Sequence, residues 1–416
     1  MQDRRSSSRF PNLMSDLHII AGVRTPFCRA GTDFDALTAT DLGRHACAAL
    51  LLRTGIDPAV IDEVIFGCVA QPADSANLAR VIALRSGVPE SVPAATVHRN
   101  CASGMEAITT AHQRMMSGKG ELFLVGGVES MSNIPLFYPH STNGKFAALA
   151  KARDFRGKLA AMAKFRPQDF KPVVGLQLGL TDPFTGLIMG DTAEILAREF
   201  QITREQQDAF AAASHRKALA AGAALKEEII PVHIAGKAII ADNGVREDST
   251  PEKLAKLRPI FDRQTGTVTA GNSSQITDGA VALLVGSEKA AARLGIEPLG
   301  RLTDYAYAGC DPKRMGLGPV HAIQRCGRSP YEADIVEINE AFAAQVLAVL
   351  ASLRDIPEEK INRRGGSIAL GHPVGATGAR LVLTALHQLR ETGGRRALAT
   401  LCIGGGQGAA LWLERP

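Results

Sequence analysis

Pro93-Ala94-Ala95-Thr96-Val97-His98-Arg99-Asn100-Cys101-Ala102-Ser103-Gly104 runs from an extended, largely apolar segment into a polar turn. The residues that follow, Met105 to Met116, place Met105, Ile108, Ala111 and Met115 at helical spacing and contain no proline. The stretch therefore predicts a strand, a tight turn and a helix, with Cys101 at or just before the first helical turn. Unpaired amide N–H groups and the positive end of the helix dipole favour a thiolate at such a position. A free thiol is only a few per cent ionised at neutral pH, so this setting, or a nearby base, is what makes a nucleophile. The competing reading is that Cys101 is a small buried hydrophobe, as many free cysteines are.

Strand-like and helix-like runs alternate outward from this segment. Leu17–Val23, Val64–Cys68 and Leu122–Gly126 read as strands, and Ala36–Arg53 and Ser75–Ser86 as helices. The last third repeats the pattern: a strand at Ile335–Ile338, a helix at Glu340–Arg354 and a glycine-rich turn at 365–378. A helix at Ala379–Glu391 and a strand at Ala397–Leu401 follow. Such alternation predicts an α/β architecture. Asn100-Cys101-Ala102-Ser103-Gly104 opens one helix and Val374-Gly375-Ala376-Thr377-Gly378 another, and each helix leads to a β run ending in glycines at 126–127 and 404–405. A duplicated α/β unit is the economical reading. Sites then form where equivalent helix starts and strand ends converge.

Composition narrows the class. The chain has 416 residues, 45% hydrophobic and 21% charged, long enough for two or three domains. A net charge of +5 is too weak to argue for nucleic acid. Cysteines at 28, 47, 68, 101, 310, 326 and 402 are odd in number and include no Cys-x-x-Cys pair. That argues against a disulfide framework or structural zinc and for a reducing, cytoplasmic setting. No run of 18 apolar residues is present. Residues 1–16 form an Arg- and Ser-rich leader without an apolar core, expected to be disordered rather than a secretory signal; an organelle transit peptide and a start at Met14 are the alternatives.

Between the halves, 136–264 reads as an inserted loop domain. Within it, 145–171 carries eight basic residues against two acidic ones, with Phe146, Leu149, Phe155, Leu159, Met162 and Phe165 in an amphipathic pattern. A basic amphipathic helix can lie on an anionic membrane, dock on a partner, or simply pack on its own domain.

Three more segments place polar groups at strand ends: Asn339-Glu340-Ala341-Phe342, Gly371-His372-Pro373 and Cys402-Ile403-Gly404-Gly405-Gly406-Gln407-Gly408. The last lacks the spacing of a nucleotide cradle and its lysine. With Gly126-Gly127-Val128-Glu129-Ser130-Met131-Ser132, Met189-Gly190-Asp191-Thr192-Ala193-Glu194 and Gly266-Thr267-Val268-Thr269-Ala270-Gly271-Asn272, these motifs resemble the thiolase family in its own order, from Val23 to Gly408.

The resemblance implies a thiolase fold, with duplicated βαβαβ halves in a layered αβαβα arrangement. The N-terminal half would span 17–135, completed by about 265–290, and the C-terminal half 291–416. It also implies roles. Cys101 would take the acyl group, and His372 would accept its proton and help bind the thioester oxygen of a second acyl-CoA. Cys402 would move the α-proton, and Asn339 would hold a water completing that oxyanion pocket. The N–H groups of Cys101 and Gly404 would form a second pocket, on the acyl-enzyme carbonyl. Coenzyme A would be a substrate, with no permanently bound cofactor and no metal, and Arg246, Ser274, Leu180 and Met189 would line its path.

Residue chemistry suits these roles: sulfur is both a good nucleophile and a good leaving group, and a carbanion beside a thioester needs fixed donors for the developing oxyanion. A covalent acyl-enzyme implies ping-pong kinetics.

Substrate signals are mixed. Ile188 stands where short-chain acetoacetyl-CoA thiolases carry histidine, and Asn272-Ser273-Ser274-Gln275 departs from the family's Asn-Ala-Ser-Gly. Gly179 to Phe184 looks biosynthetic, whereas 145–171 resembles the insertion of β-oxidation multienzyme thiolases. The expectation is a degradative 3-ketoacyl-CoA thiolase, with acetyl-CoA C-acetyltransferase as the alternative. A homodimer or homotetramer is implied, with a hydratase/dehydrogenase subunit or an anionic membrane as the partner of 145–171. A decarboxylating ketoacyl synthase would pair its cysteine with two histidines, and a non-catalytic acyl-CoA-binding relative would lack one of Cys101, His372 and Cys402; neither pattern occurs here.

Overall fold

The computed structural model describes residues 16–354 and 356–416. The expectation of a disordered leader therefore lies, apart from Asp16, outside the described residues.

Nine strands form one hydrogen-bonded path. They are β1 (Leu17–Arg24), β2 (Glu63–Gly67), β3 (Ala94–Val97), β4 (Leu122–Glu129), β5 (Thr277–Gly286), β6 (Gly300–Gly309), β7 (Ile335–Ile338), β8 (Arg396–Ile403) and β9 (Gln407–Glu414). Their order is β7-β8-β9-β6-β1-β5-β4-β2-β3, with Cys28–Arg29 as a tenth, short strand on β5. The helices that matter here are α1 (Ala39–Thr54), α2 (Leu78–Arg85), α3 (Ser103–Met116), α4 (His140–Lys151), α5 (Phe155–Met162), α6 (Gly318–Cys326), α7 (Ala343–Leu353) and α8 (Val374–Thr392).

Pairing shows the internal repeat directly. Helix α3 leads into β4, which runs parallel to β2 and antiparallel to β5. Helix α8 leads into β8, which runs parallel to β7 and antiparallel to β9. The two sets meet where β1 pairs antiparallel with β6, from Leu17 opposite Leu302 to Ile19 opposite Gly300. Alternate side chains of a strand face opposite sides, so each half of the sheet buries two faces. Inward, Ile65, Phe123, Val125, Leu283, Leu401 and Leu411 pack on Met105 and Ile108 of α3 and on Val382 and Leu386 of α8. Outward, α1 and α2 cover Val64, Phe66, Leu124 and Leu284 with Leu42, Leu50 and Ile82. On the other side Ala322 and Ile323 of α6 cover Leu398, Ala410 and Trp412. The result is helix, sheet, helix, sheet, helix, the layered α/β arrangement the motifs implied.

The two central helices cross at their N-terminal ends, and glycine makes the approach possible. A Cβ on Gly104 would stand 2.7 Å from the backbone nitrogen of Ala379, and one on Gly378 would stand 2.8 Å from that of Met105. This crossing sets the start of α3, next to Cys101, beside the start of α8, next to His372.

Three expectations shift. Helix α8 begins at Val374, as the Val374–Gly378 opening implied, so the range Ala379–Glu391 starts too late and the end of the glycine-rich turn is already helical. Helix α7 begins at Ala343, because Phe342 is extended (φ −147°, ψ 144°) and Asn339 to Phe342 leave the sheet as a strap. The basic segment 145–171 is not one helix. Helix α4 ends at Ala152 in an extended conformation, Asp154 caps α5 by accepting from Gly157 N–H, and Pro167 opens a short 3-10 turn. Its apolar stripe divides accordingly. Phe146 and Phe170 each pack on Phe165 and on Tyr138 in a cluster that is itself partly exposed, while Phe155, Leu159 and Met162 are exposed outside it.

Candidate active site

Cys101 sits on a turn whose geometry is set by Asn100. That residue has φ 43°, a left-handed conformation that asparagine tolerates better than most residues. Ser103 locks the turn: its hydroxyl donates to Asn100 O at 2.7 Å and accepts from Arg99 N–H at 3.0 Å. Helix α3 then starts with no side-chain cap. Asn100 Nδ2 reaches across to donate to Gly404 O at 2.7 Å. That bond ties the Cys101 turn to the three-glycine turn between β8 and β9, where Gly405 (φ 87°) and Gly406 (φ 78°) take conformations that a side chain would strain.

Electrostatics at Cys101 differ from the sequence expectation. Burial pushes the thiol pKa up, and the N–H groups of Gly404 and of Cys101 itself pull it back only in part. Desolvation of a thiolate outweighs the two amide dipoles, so the resting sulfur is a protonated thiol that needs a base. Those same two N–H groups are directed at the Cys101 sulfur. Cys402, at the end of β8, is 1% exposed, and its pKa is raised by burial and then by the charge at Cys101. The two sulfurs therefore share one site.

The base is His372. Its Nδ1 lies 2.7 Å from Thr377 Oγ1, and that hydroxyl donates to Pro373 O at 3.0 Å. Having given its one proton to the carbonyl, Thr377 must accept from Nδ1–H, which leaves the lone pair on Nε2. Burial and the positive charge of Arg380 hold the ring pKa down to about 3, so the imidazole is neutral. Asn339, fully buried on the strap after β7, brings Nδ2 to 3.4 Å from His372 Nε2. Together, a neutral thiol, a neutral imidazole with a free lone pair, a second thiol and a set of amide donors can transfer a proton, hold an acyl group and stabilise an oxyanion.

Cys101, Gly404 and Cys402 thus come together, and the His372–Asn339 pair stands at the start of α8, where that helix crosses the start of α3. Met189 joins them: it packs in the cluster of Cys402, Ala341 and Phe342, and its sulfur would stand 3.5 Å from a Cβ on Gly404. Leu180 O accepts from Met189 N–H at 2.9 Å, so Leu180 belongs to the same wall. Ser274 is fixed to the strap through Ser274 N–H to Ala341 O at 2.9 Å, next to Gln275, whose carbonyl accepts from His372 N–H. Arg246 is exposed; its backbone N–H donates to His215 Nδ1, and it makes no contact with the cysteines.

Sequence reading did not single out three residues here. Thr377 was visible only as part of a helix opening. Cys310, whose N–H donates to Gly406 O at 2.7 Å and whose charge also raises the Cys402 pKa, had no sequence signal. Glu129 appeared only inside a motif. It accepts from the N–H groups of Val69, Ala70 and Gly375, and burial lifts its pKa to about 7. Among the described residues, no group of three or more His, Cys, Asp or Glu could hold a metal ion, and no helix is long and apolar enough to cross a membrane.

Comparison with known proteins agrees along the whole length. The model of the thiolase N-terminal domain matches residues 17–289 and that of the thiolase C-terminal domain 296–415. A 3-ketoacyl-CoA thiolase of Pectobacterium atrosepticum is 39% identical over 95% of both chains. A probable acetyl-CoA acyltransferase of Staphylococcus aureus is 42% identical over 95% of this chain and 98% of its own. Among solved structures, Bacillus anthracis acetyl-CoA acetyltransferase superposes with a TM-score of 0.87 at 37% identity, covering 98% of this chain and all of its own. Human mitochondrial 3-ketoacyl-CoA thiolase in complex with CoA gives 0.86 at 36% identity, over 97% of this chain and 99% of its own. With both domain models matched end to end on this duplicated fold, the chain belongs to the thiolase family of acyltransferases.

Proposed function

We propose that the protein is a 3-ketoacyl-CoA thiolase of the degradative, β-oxidation type. It cleaves 3-ketoacyl-CoA with coenzyme A to acetyl-CoA and a shortened acyl-CoA. The observation that carries this reading is the pairing of two thiols, Cys101 and Cys402, in one site, with the neutral imidazole of His372 at the start of the helix that crosses the Cys101 helix. His372 Nε2 takes the Cys101 proton as sulfur attacks the 3-keto carbon. The carbon–carbon bond breaks to an acetyl-CoA enolate, and the Cys402 thiol returns a proton to its α-carbon. Coenzyme A then gives its thiol proton to the Cys402 thiolate and attacks the Cys101 thioester; the Cys101 sulfur leaves and takes its proton back from His372, releasing the shortened acyl-CoA and the enzyme in ping-pong order.

Two donor sets serve the two oxyanions. The N–H groups of Cys101 and Gly404 bind the carbonyl oxygen on the Cys101 side, and His372 with an Asn339-held water binds the enolate oxygen. Each such donor is typically worth about 2.7–4 kcal/mol. Coenzyme A is the substrate for which Leu180, Met189, Ser274 and Arg246 form the path, with Arg246 at the phosphate-bearing end. The enzyme works as a cytoplasmic homodimer or homotetramer of two-half subunits with 136–264 inserted. The basic surface of α4 and α5, with Phe155, Leu159 and Met162 exposed, supports docking on an anionic membrane or a partner enzyme subunit.

Reversal of the same steps is a Claisen condensation, and it gives the second reading, acetyl-CoA C-acetyltransferase. That reading is favoured by the similarity to the B. anthracis acetyl-CoA acetyltransferase. Thiolysis rate against 3-ketoacyl chain length from four to sixteen carbons separates the two. Activity extending to the longer chains supports the degradative reading, and activity confined to the shortest overturns it.

A further inference from the structure

Behind His372 lies a row of buried polar groups whose donor directions follow from elementary valence. Arg380, on α8, is fully buried and ion-paired through Nη1 with Glu337 Oε2 at 2.7 Å. Its Nη2 stands 3.4 Å from Ser367 Oγ, and Ser367 Oγ stands 2.6 Å from Asn339 Oδ1. A guanidinium only donates, so Arg380 occupies the acceptor side of the Ser367 hydroxyl. The one hydroxyl proton must go to Asn339. Asn339 therefore presents Oδ1 to Ser367 and Nδ2 to the imidazole. The reversed amide would set its oxygen against the lone pair on His372 Nε2. Ser367, Asn339 and Arg380 are all fully buried, so these contacts and not bulk solvent orient the amide.

We infer that Ser367 is a positioning residue. Its hydroxyl, oriented by Arg380, fixes the Asn339 amide so that Nδ2 faces the pocket in which the enolate oxygen of the second acyl-CoA is stabilised. The contact chain runs through Asn339 and away from Cys101, so Ser367 acts on α-proton transfer and not on acylation. This rests on the role of Asn339 proposed above.

The test compares the two half-reactions in Ser367→Ala, Asn339→Ala and the double variant. Acylation of Cys101 is followed as CoA released from acetyl-CoA in a single turnover, and enolisation as deuterium wash-in at the acetyl α-carbon. Ser367→Ala should slow wash-in by about tenfold, the scale of one lost hydrogen bond, with acylation within about twofold of the parent. In the Asn339→Ala background it should have no further effect, and Ser367→Thr, which keeps the hydroxyl, should recover wash-in. Equal loss in both half-reactions, no loss, or additivity with Asn339→Ala overturns the inference. If Asn339→Ala itself leaves wash-in unchanged, the pocket assignment fails with it, whereas normal wash-in in Ser367→Ala alone removes only the inference.

Discussion

His372 Nδ1 and Thr377 Oγ1 lie 2.7 Å apart at the first turn of α8, and because Thr377 donates onward to Pro373 O, the histidine has its free lone pair on Nε2. One helical turn thus chooses the tautomer of the base proposed for the reaction. Thr377→Val keeps the shape and removes the acceptor. Single-turnover acylation of Cys101 should then fall on the order of tenfold to a hundredfold, up to the lower end of what general bases contribute, while the thermal midpoint moves little. Unchanged acylation would mean that the tautomer is fixed elsewhere.

The resting pair is neutral, and this sets a pH profile. His372 is held to about 3, well below its ordinary value, and the Cys101 thiol is held above its own. Raising a thiol pKa shrinks the thiolate fraction at neutral pH. Iodoacetamide alkylation of Cys101 should therefore climb steadily with pH and still be rising near pH 9, the ordinary cysteine range. A plateau reached by about pH 7 would show instead a thiolate–imidazolium pair.

The crossing of the central helices gives a stability prediction. A methyl on Gly104 meets the backbone nitrogen of Ala379 at 2.7 Å, and backbone cannot rotate aside as a flexible side chain can. Gly104→Ala should destabilise the fold by about 1–3 kcal/mol in urea unfolding and lower activity, because the same shift separates Cys101 from His372. Stability equal to the parent would show that the two helices can slide apart.

How far these features could be read from the chain depends on how local their causes are. The turn at Cys101 was legible because strand, left-handed Asn100 and helix are contiguous, and the α/β repeat was legible because its periodicity recurs. Glycines at 104 and 378 gave no such signal, since the approach they allow joins helices far apart in sequence. The thiolate favoured by the helix start at Cys101 is opposed for a related reason: a helix start is local, but the burial that raises the thiol pKa comes from a core drawn from distant segments. The basic segment was read as one stripe, yet the six-residue step from Leu149 to Phe155 already broke the helical period, and the break falls between α4 and α5. Ser367, Asn339 and Arg380 lie on three segments, and only folding shows that they touch.

Peptide mass spectrometry after incubation with acetyl-CoA tests the two-thiol site most directly. The account predicts one acetyl group on the Cys101 peptide of the parent and of Cys402→Ala, with α-carbon deuterium exchange lost only in the latter's acetyl-CoA. An acetyl group found elsewhere, or no adduct on Cys101 in either protein, would contradict it.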